Sequence, residues 1–165
     1  MAASPPQEPM LSFDLVRARR RLLLWYRKQN RSLPWRTLHA KTQSPYPVWI
    51  SEIMLQQTVI KAVIPKFENF MRQYPTVKAL AQTTEEELRR AVAGLGYYRR
   101  FANLHKAAKA LVAKRPFLWP QSAAAWRELP GIGAYTGNAI ASIAFNEPVA
   151  VVDGNVERVF CRLLD

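Results

Sequence analysis

Apolar residues recur along this chain at three- and four-residue intervals, and no stretch alternates apolar with polar positions as a half-buried strand would. A first amphipathic helix is predicted from near Phe13 to Lys28, with Leu15, Leu22, Trp25 and Tyr26 available for burial. Ser32-Leu33-Pro34-Trp35 breaks it, and a polar loop is expected over residues 42–47. A second helix starts at Pro47 or Val48, since proline is tolerated at a first helical position. It is expected to run through Glu52, Leu55, Gln56 and Val59 towards Pro65, followed by a helical segment over 66–73. Further helices are predicted over 76–80, 84–93, 100–113 and 122–128. The Thr84-Glu85-Glu86-Glu87 start has a capping hydroxyl, a glutamate three residues on and an acidic first turn. Two glycines interrupt the pattern at Leu129-Pro130-Gly131-Ile132-Gly133, before a small-residue helix over 135–145. The apolar run Val149–Val152 leads into Asp153-Gly154 and a last helix bearing Val156, Val159, Phe160 and Leu163. The architecture this implies is all-α.

Composition narrows the class of protein. The 165 residues are 49% hydrophobic, enough for a globular core. No uninterrupted apolar run approaches the ~18 residues that suggest a membrane span. Residues 1–12, with Pro5, Pro6 and Pro9, are expected to form a disordered tail, and they show no basic start followed by an apolar run, so no secretory signal is visible. Lys and Arg number 24 against 12 acidic residues, a formal charge of +12. That excess points to a polyanionic partner, nucleic acid above all, though a basic soluble protein without one has the same composition. The single cysteine, Cys161, cannot form an internal disulfide or a multi-cysteine metal site with this chain alone, and is expected in the core.

The hairpin is the most specific motif. Its glycines permit a tight turn and close approach of backbone N–H groups to a ligand, and the next helix N-terminus offers further donors and a positive dipole end. An ordinary packing corner is the alternative, but the flanking Leu-Pro and the basic charge favour a grip on phosphates that positions without reading sequence. Asp153, after an apolar run and before a helix, is an N-cap by position, and a carboxylate there is favoured as the anion. Glu52 contrasts with it. On its predicted helix it neighbours Val48, Trp49, Leu55, Gln56 and Val59, and an apolar setting raises a carboxyl's proton affinity. An exposed Glu52 paired with Lys61 is equally compatible with periodicity. Two carboxyl groups in opposed environments suit cleavage of a glycosidic bond, one as proton donor and one supporting an oxocarbenium-like sugar. A base in duplex DNA must first be extruded and its gap filled. Leu55, Gln56 and Gln57 are candidates to enter the stack, as are Tyr97 and Tyr98 beside Arg99 and Arg100.

Taken together, Leu33-Pro34-Trp35-Arg36, residues 48–58, Gly94-Leu95-Gly96-Tyr97-Tyr98, residues 103–108, the hairpin and residues 152–156 resemble the MutY-type adenine DNA glycosylases of the helix-hairpin-helix superfamily. They do so in family order from about residue 13 onward. The resemblance implies a six-helix barrel fold and hydrolytic removal of adenine mispaired with 8-oxoguanine or guanine in double-stranded DNA. It implies Glu52 as proton donor to adenine and Asp153 as stabiliser of the sugar cation or its covalent form. Tyr135 and Asn155 would line the catalytic pocket, with Arg31, Leu33, Trp35, Arg36 and Ile60 near the adenine. Gln57 and Tyr97 would act as wedges beside 8-oxoguanine, Thr58 and Leu95 close to it, and Gly131 and Gly133 as the phosphate-binding hairpin.

The nearest rival shares the fold: an endonuclease III-like glycosylase and lyase, which carries a lysine nucleophile just after the hairpin glycines. Tyr135 stands there and cannot form a Schiff base. Thymine-mismatch relatives also carry a tyrosine, so the adenine reading leans on Gln56-Gln57 and Leu-Pro-Trp-Arg. A DNA-binding module without activity is a further alternative. The family's four cysteines for a [4Fe-4S] cluster, and its 8-oxoguanine-recognising C-terminal domain, have no counterpart before Asp165, so a truncated form is expected. The expected organisation is a tail (1–12), a helix of an incomplete second domain (13–30), the glycosylase core (31–155) and the start of a helix leading to the cluster domain (156–165). Monomeric action and a nuclear or bacterial cytoplasmic setting, without secretion, complete the expectation.

Overall fold

The computed structural model describes residues 14–164, and every regular element among them is helical. The expected tail at 1–12 lies outside the described residues. The chain divides into two compact units, Ser32–Asp153 and the flanking segments Met1–Arg31 with Gly154–Asp165.

The larger unit holds eight helices: α2 (Pro34–Thr42), α3 (Tyr46–Leu55), α4 (Ile60–Gln73), α5 (Val77–Gln82), α6 (Glu85–Ala91), α7 (Arg99–Ala113), α8 (Ala123–Arg127) and α9 (Ala134–Phe145). At its centre α3 packs against α2, α4, α7 and α9. Eight of its ten residues are buried and only Glu52 and Leu55 reach partial exposure, so it is apolar on nearly every side. Trp49 anchors an aromatic cluster, 5.5 Å from Trp126, which stacks on Trp119 at 5.9 Å. Large buried rings of this kind supply much of a small domain's hydrophobic stabilisation.

Local chemistry accounts for most boundaries. Thr76, Thr84 and Ser122 cap α5, α6 and α8 through their hydroxyls, and Thr84 and Glu87 form a full capping box. Glu147 reaches back to accept from the Ala123 N–H at 2.6 Å, placing an anion at the start of α8. Two boundaries differ from expectation. Pro34 opens a helix instead of merely ending one, so α2 fills residues 34–42 and the polar loop shrinks to 43–45. The helix bearing Glu52 stops at Leu55. Residues 56–59 turn, with Gln57 at φ +55°, and a single helix then runs 60–73 through Pro65. Val59 therefore leaves Glu52's face and is 72% exposed.

The smaller unit contains α1 (Leu15–Gln29) and α10 (Gly154–Leu164). Asp14 caps α1 by accepting from the Arg17 N–H at 3.0 Å. No residue of α1 is buried, Leu22 and Trp25 included, and Cys161 on α10 is exposed where a core position was expected.

Candidate active site and its relatives

Glu52 is the one charged residue on α3. Burial alone lifts its carboxyl to about 7, because the surrounding protein replaces water that would solvate the anion. No ion pair to Lys61 enters into that shift. Beside it stands Tyr135, in the first turn of α9. Burial first, then the charges of Glu52 and then Asp153, hold the Tyr135 phenol above its usual value. The phenol therefore lies within electrostatic reach of both carboxyl groups, although it is 83 positions from Glu52 and 18 from Asp153 in sequence; the packing of α3 on α9 brings Glu52 to it. Asp153 ends the stretch that follows α9. Asn138, one turn beyond Tyr135, donates from Nδ2 to the Ala150 carbonyl at 2.8 Å and holds that stretch along the helix.

The hairpin joins α8 to α9. Its two glycines have different reasons. Gly131 has φ +76°, and a Cβ there would meet the Asn103 side chain at 2.4 Å, so both conformation and space require glycine. Gly133 has an ordinary φ of −84° and nothing within 4 Å of a Cβ position. It leaves the N-terminus of α9 uncovered, with no side-chain cap on its first N–H groups. A third glycine matters to the packing: at Gly137 a Cβ would meet the Ala123 carbonyl at 3.1 Å, where α8 crosses α9.

The residues considered for insertion into DNA separate by exposure. Leu55 packs against the core, and Gln56 donates from Nε2 to Thr136 Oγ1 at 3.4 Å. Gln57 is exposed at the apex of its turn. Tyr98 is tied back, its hydroxyl accepting from the Gly94 N–H at 3.2 Å, whereas Tyr97 is 66% exposed with φ +46°. Gln57, Tyr97, Asn103 and Gly131 share the walls of a cleft of about 360 Å³. Thr58 and Leu95 meet through the Thr58 hydroxyl and the Leu95 carbonyl at 3.4 Å, the Leu95 side chain being buried.

Leu33 and Trp35 are core residues, Trp35 edge-on to Phe67 at 5.4 Å, and Ile60 is partly buried at the start of α4. Arg36 is exposed on α2. Arg31 and Asn155 belong to the smaller unit. Sequence reasoning passed over Asn103, Thr136, Asn138 and the structural role of Arg100. Arg100 left one signal: it shares a helical face with Leu104, Ala108 and Leu111, all buried, so a charge occupies a core position.

Residues 50–164 match the model of the HhH-GPD superfamily base excision DNA repair proteins. This chain belongs to that superfamily. It is 42% identical to the adenine DNA glycosylase of Rattus norvegicus over 91% of its length, 43% identical to that of Homo sapiens over 86%, and 38% identical to that of Mycobacterium tuberculosis over 86%. The chain spans only 30%, 27% and 45% of those proteins' lengths. Among solved structures, a thermostable thymine-DNA glycosylase superposes with a TM-score of 0.76 at 27% identity, over 89% of this chain and 69% of that one. A non-covalent endonuclease III–DNA complex gives 0.65 at 28% identity, over 70% and 55%. The helix-hairpin-helix glycosylase fold is thereby established.

An iron-sulfur cluster does not fit the residues present. The chain has one cysteine, and among the described residues no three His, Cys, Asp or Glu side chains are grouped to hold a metal. Among the same residues no helix is long and apolar enough to cross a membrane.

Proposed function

We propose that this chain carries the catalytic core of an adenine DNA glycosylase, hydrolysing the N-glycosidic bond of adenine mispaired with 8-oxoguanine or guanine in double-stranded DNA. The observation that carries the reading is the Glu52–Tyr135–Asp153 constellation, in which a desolvated carboxyl poised at about 7 and a second carboxyl both act on one phenol. Around neutral pH, Glu52 retains a proton that it can deliver to a ring nitrogen of an extruded adenine. Protonation makes the base a better leaving group, and the C1′–N9 bond breaks with its electron pair departing on the adenine. The positive charge left on the sugar is met by the Asp153 carboxylate. Water then adds at C1′, returns a proton to solvent or to Glu52, and leaves an abasic site.

The surroundings fit the same task. The uncovered N-terminus of α9, beside Gly131 and Gly133, is a place for a backbone phosphate, which would hold the strand while the base leaves the stack. Gln57 and Tyr97 are the exposed groups available to fill the gap, with Thr58 and Leu95 behind them. Within the same unit, Leu33, Trp35, Arg36 and Ile60 complete the set assigned to the adenine. A lyase reaction through a Schiff base has no amine to form it at position 135, because Tyr135 occupies that place.

Single-turnover release of adenine from an 8-oxoguanine:adenine duplex tests the reading. The chain should release adenine, and Glu52→Gln should lower the rate at least about a hundredfold while leaving DNA binding intact. Binding without release by the parent chain would leave a DNA-binding module. Release undiminished in Glu52→Gln would remove Glu52 as the proton donor.

A further inference from the structure

Two loops, far apart in sequence, stand at the rim of the cleft, each with a non-glycine residue in the left-handed region: Gln57 at φ +55° and Tyr97 at φ +46°. Single residues of this kind are strained and persist only when their surroundings hold them. Each loop has a few bonds of its own: Thr58 Oγ1 donates to Gln56 O at 3.3 Å, the Gly94 N–H to the Tyr98 hydroxyl at 3.2 Å, and the Thr58 hydroxyl bridges to Leu95 O at 3.4 Å. The Thr58 N–H reaches Leu55 O at 3.3 Å, and the Leu95 N–H reaches Val92 O at 3.2 Å.

Further support comes from α7. Arg100 is 8% exposed, and its guanidinium faces both loops at once. Nη1 donates to Met54 O at 3.1 Å and to Gln56 O. Nη2 donates to Thr58 Oγ1 at 2.9 Å and to Leu95 O at 3.0 Å. The Met54 and Gln56 carbonyls sit at the C-terminal end of α3, where helix carbonyls lack intrahelical partners and a cation is favoured. The acceptors on Gln56 and Thr58 bracket Gln57 on either side, and Leu95 O lies two residues before Tyr97. One buried, planar fork thus ties the end of α3, the Gln57 turn and the Tyr97 loop to the same point on a 15-residue helix.

We infer that Arg100 is a positioning residue that sets the Gln57 turn and the Tyr97 loop in a single register, so that the two protrusions enter DNA together when a base is extruded. The inference rests on the glycosylase reading for its consequence in DNA, and on the four Arg100 hydrogen bonds with the Thr58–Leu95 bridge for the coupling. Arg100 acts through the loops and touches neither Glu52 nor Asp153 in any bond described above. Lysine retains the charge but concentrates it at one ammonium, which cannot reproduce a fork directed at both loops.

The test has two arms, both on the full chain. In the free protein, amide hydrogen exchange is followed for peptides covering residues 56–59 and 94–98, in the parent and in Arg100→Lys. Both segments should exchange about tenfold faster or more in the variant, in parallel, while α9 and the buried part of α3 keep their protection. Acceleration in one segment alone, or in neither, overturns the coupling. Should Arg100→Lys fail to fold, Thr58→Val replaces it, removing one acceptor of the fork and the bridge to Leu95 O; parallel acceleration at smaller amplitude is then expected, and its absence from 94–98 overturns the coupling. In the second arm, a duplex carries 2-aminopurine beside the target adenine, and Glu52→Gln holds the base uncleaved. Fluorescence should rise with Glu52→Gln alone, and the rise should be lost in Glu52→Gln/Arg100→Lys with affinity changed by less than about threefold. An equal rise in the double variant overturns the role of Arg100. No rise with Glu52→Gln alone overturns the extrusion reading, while the exchange arm still decides the coupling.

Discussion

Glu52 is the residue on which the proposed chemistry turns, and its proton affinity also has a thermodynamic consequence. Burial raises it from an ordinary value of 4.5 to about 7, so the folded chain binds this proton more tightly than the unfolded chain does. The resulting contribution to stability is complete below pH 4.5 and is lost as pH rises through about 7. Glu52→Gln, which cannot ionise, should therefore be more stable than the parent at about pH 8.5, by up to roughly 3 kcal/mol, with the difference gone near pH 4.5. Urea unfolding at the two pH values measures it, and a pH-independent difference would place Glu52 in water. If the protonated acid is the active form, the single-turnover rate should also fall about tenfold per pH step above 7, from the same titration. Helical periodicity placed Glu52 among apolar neighbours but left an exposed position open. The choice was made by α2, α4, α7 and α9 closing around α3, which no spacing within one helix specifies.

Elements were legible where a capping hydroxyl marks their start. Thr76, Thr84 and Ser122 stand at the starts of α5, α6 and α8, and the predicted starts fall within one residue of the observed ones. The α3 C-terminus was not legible, because Arg100, more than 40 positions away, donates to the Met54 and Gln56 carbonyls at its end. Pro65 misled in the other direction, since burial of Val63, Phe67 and Phe70 carries α4 past a proline that removes one backbone bond. The hairpin glycines allow a sharper experiment than their shared motif suggests. Gly131→Ala should destabilise the fold by about 1–3 kcal/mol, through its φ and its collision with Asn103. Gly133→Ala should leave the unfolding midpoint nearly unchanged and weaken DNA binding by covering the start of α9. Equal effects of the two changes on stability would show that Gly133 also has a packing role.

At the scale of the whole molecule, the charge of +12 makes the affinity for DNA a function of salt. Each phosphate neutralised contributes about −0.9 to the slope of log K against log salt, and a slope of roughly −3 or steeper is expected for duplex DNA. A flat dependence between 50 and 200 mM salt, on the order of magnitude where counterion release dominates, would contradict an electrostatic grip. The exposed apolar side chains of α1 and α10 belong to the smaller unit, and the aromatic cluster and the Glu52–Tyr135–Asp153 group belong to Ser32–Asp153. The sequence by itself determined the helical class, most helix starts, the hairpin and the charge, because caps, glycines and ionisable groups act over a few residues or over the whole chain. Tertiary structure alone decided the rest: that Glu52 holds its proton more tightly, that Tyr135 lies within electrostatic reach of two carboxyl groups, and that a buried Arg100 bonds to two loops. Desolvation and hydrogen bonding depend on which helices meet, and those meetings join residues that the chain holds far apart.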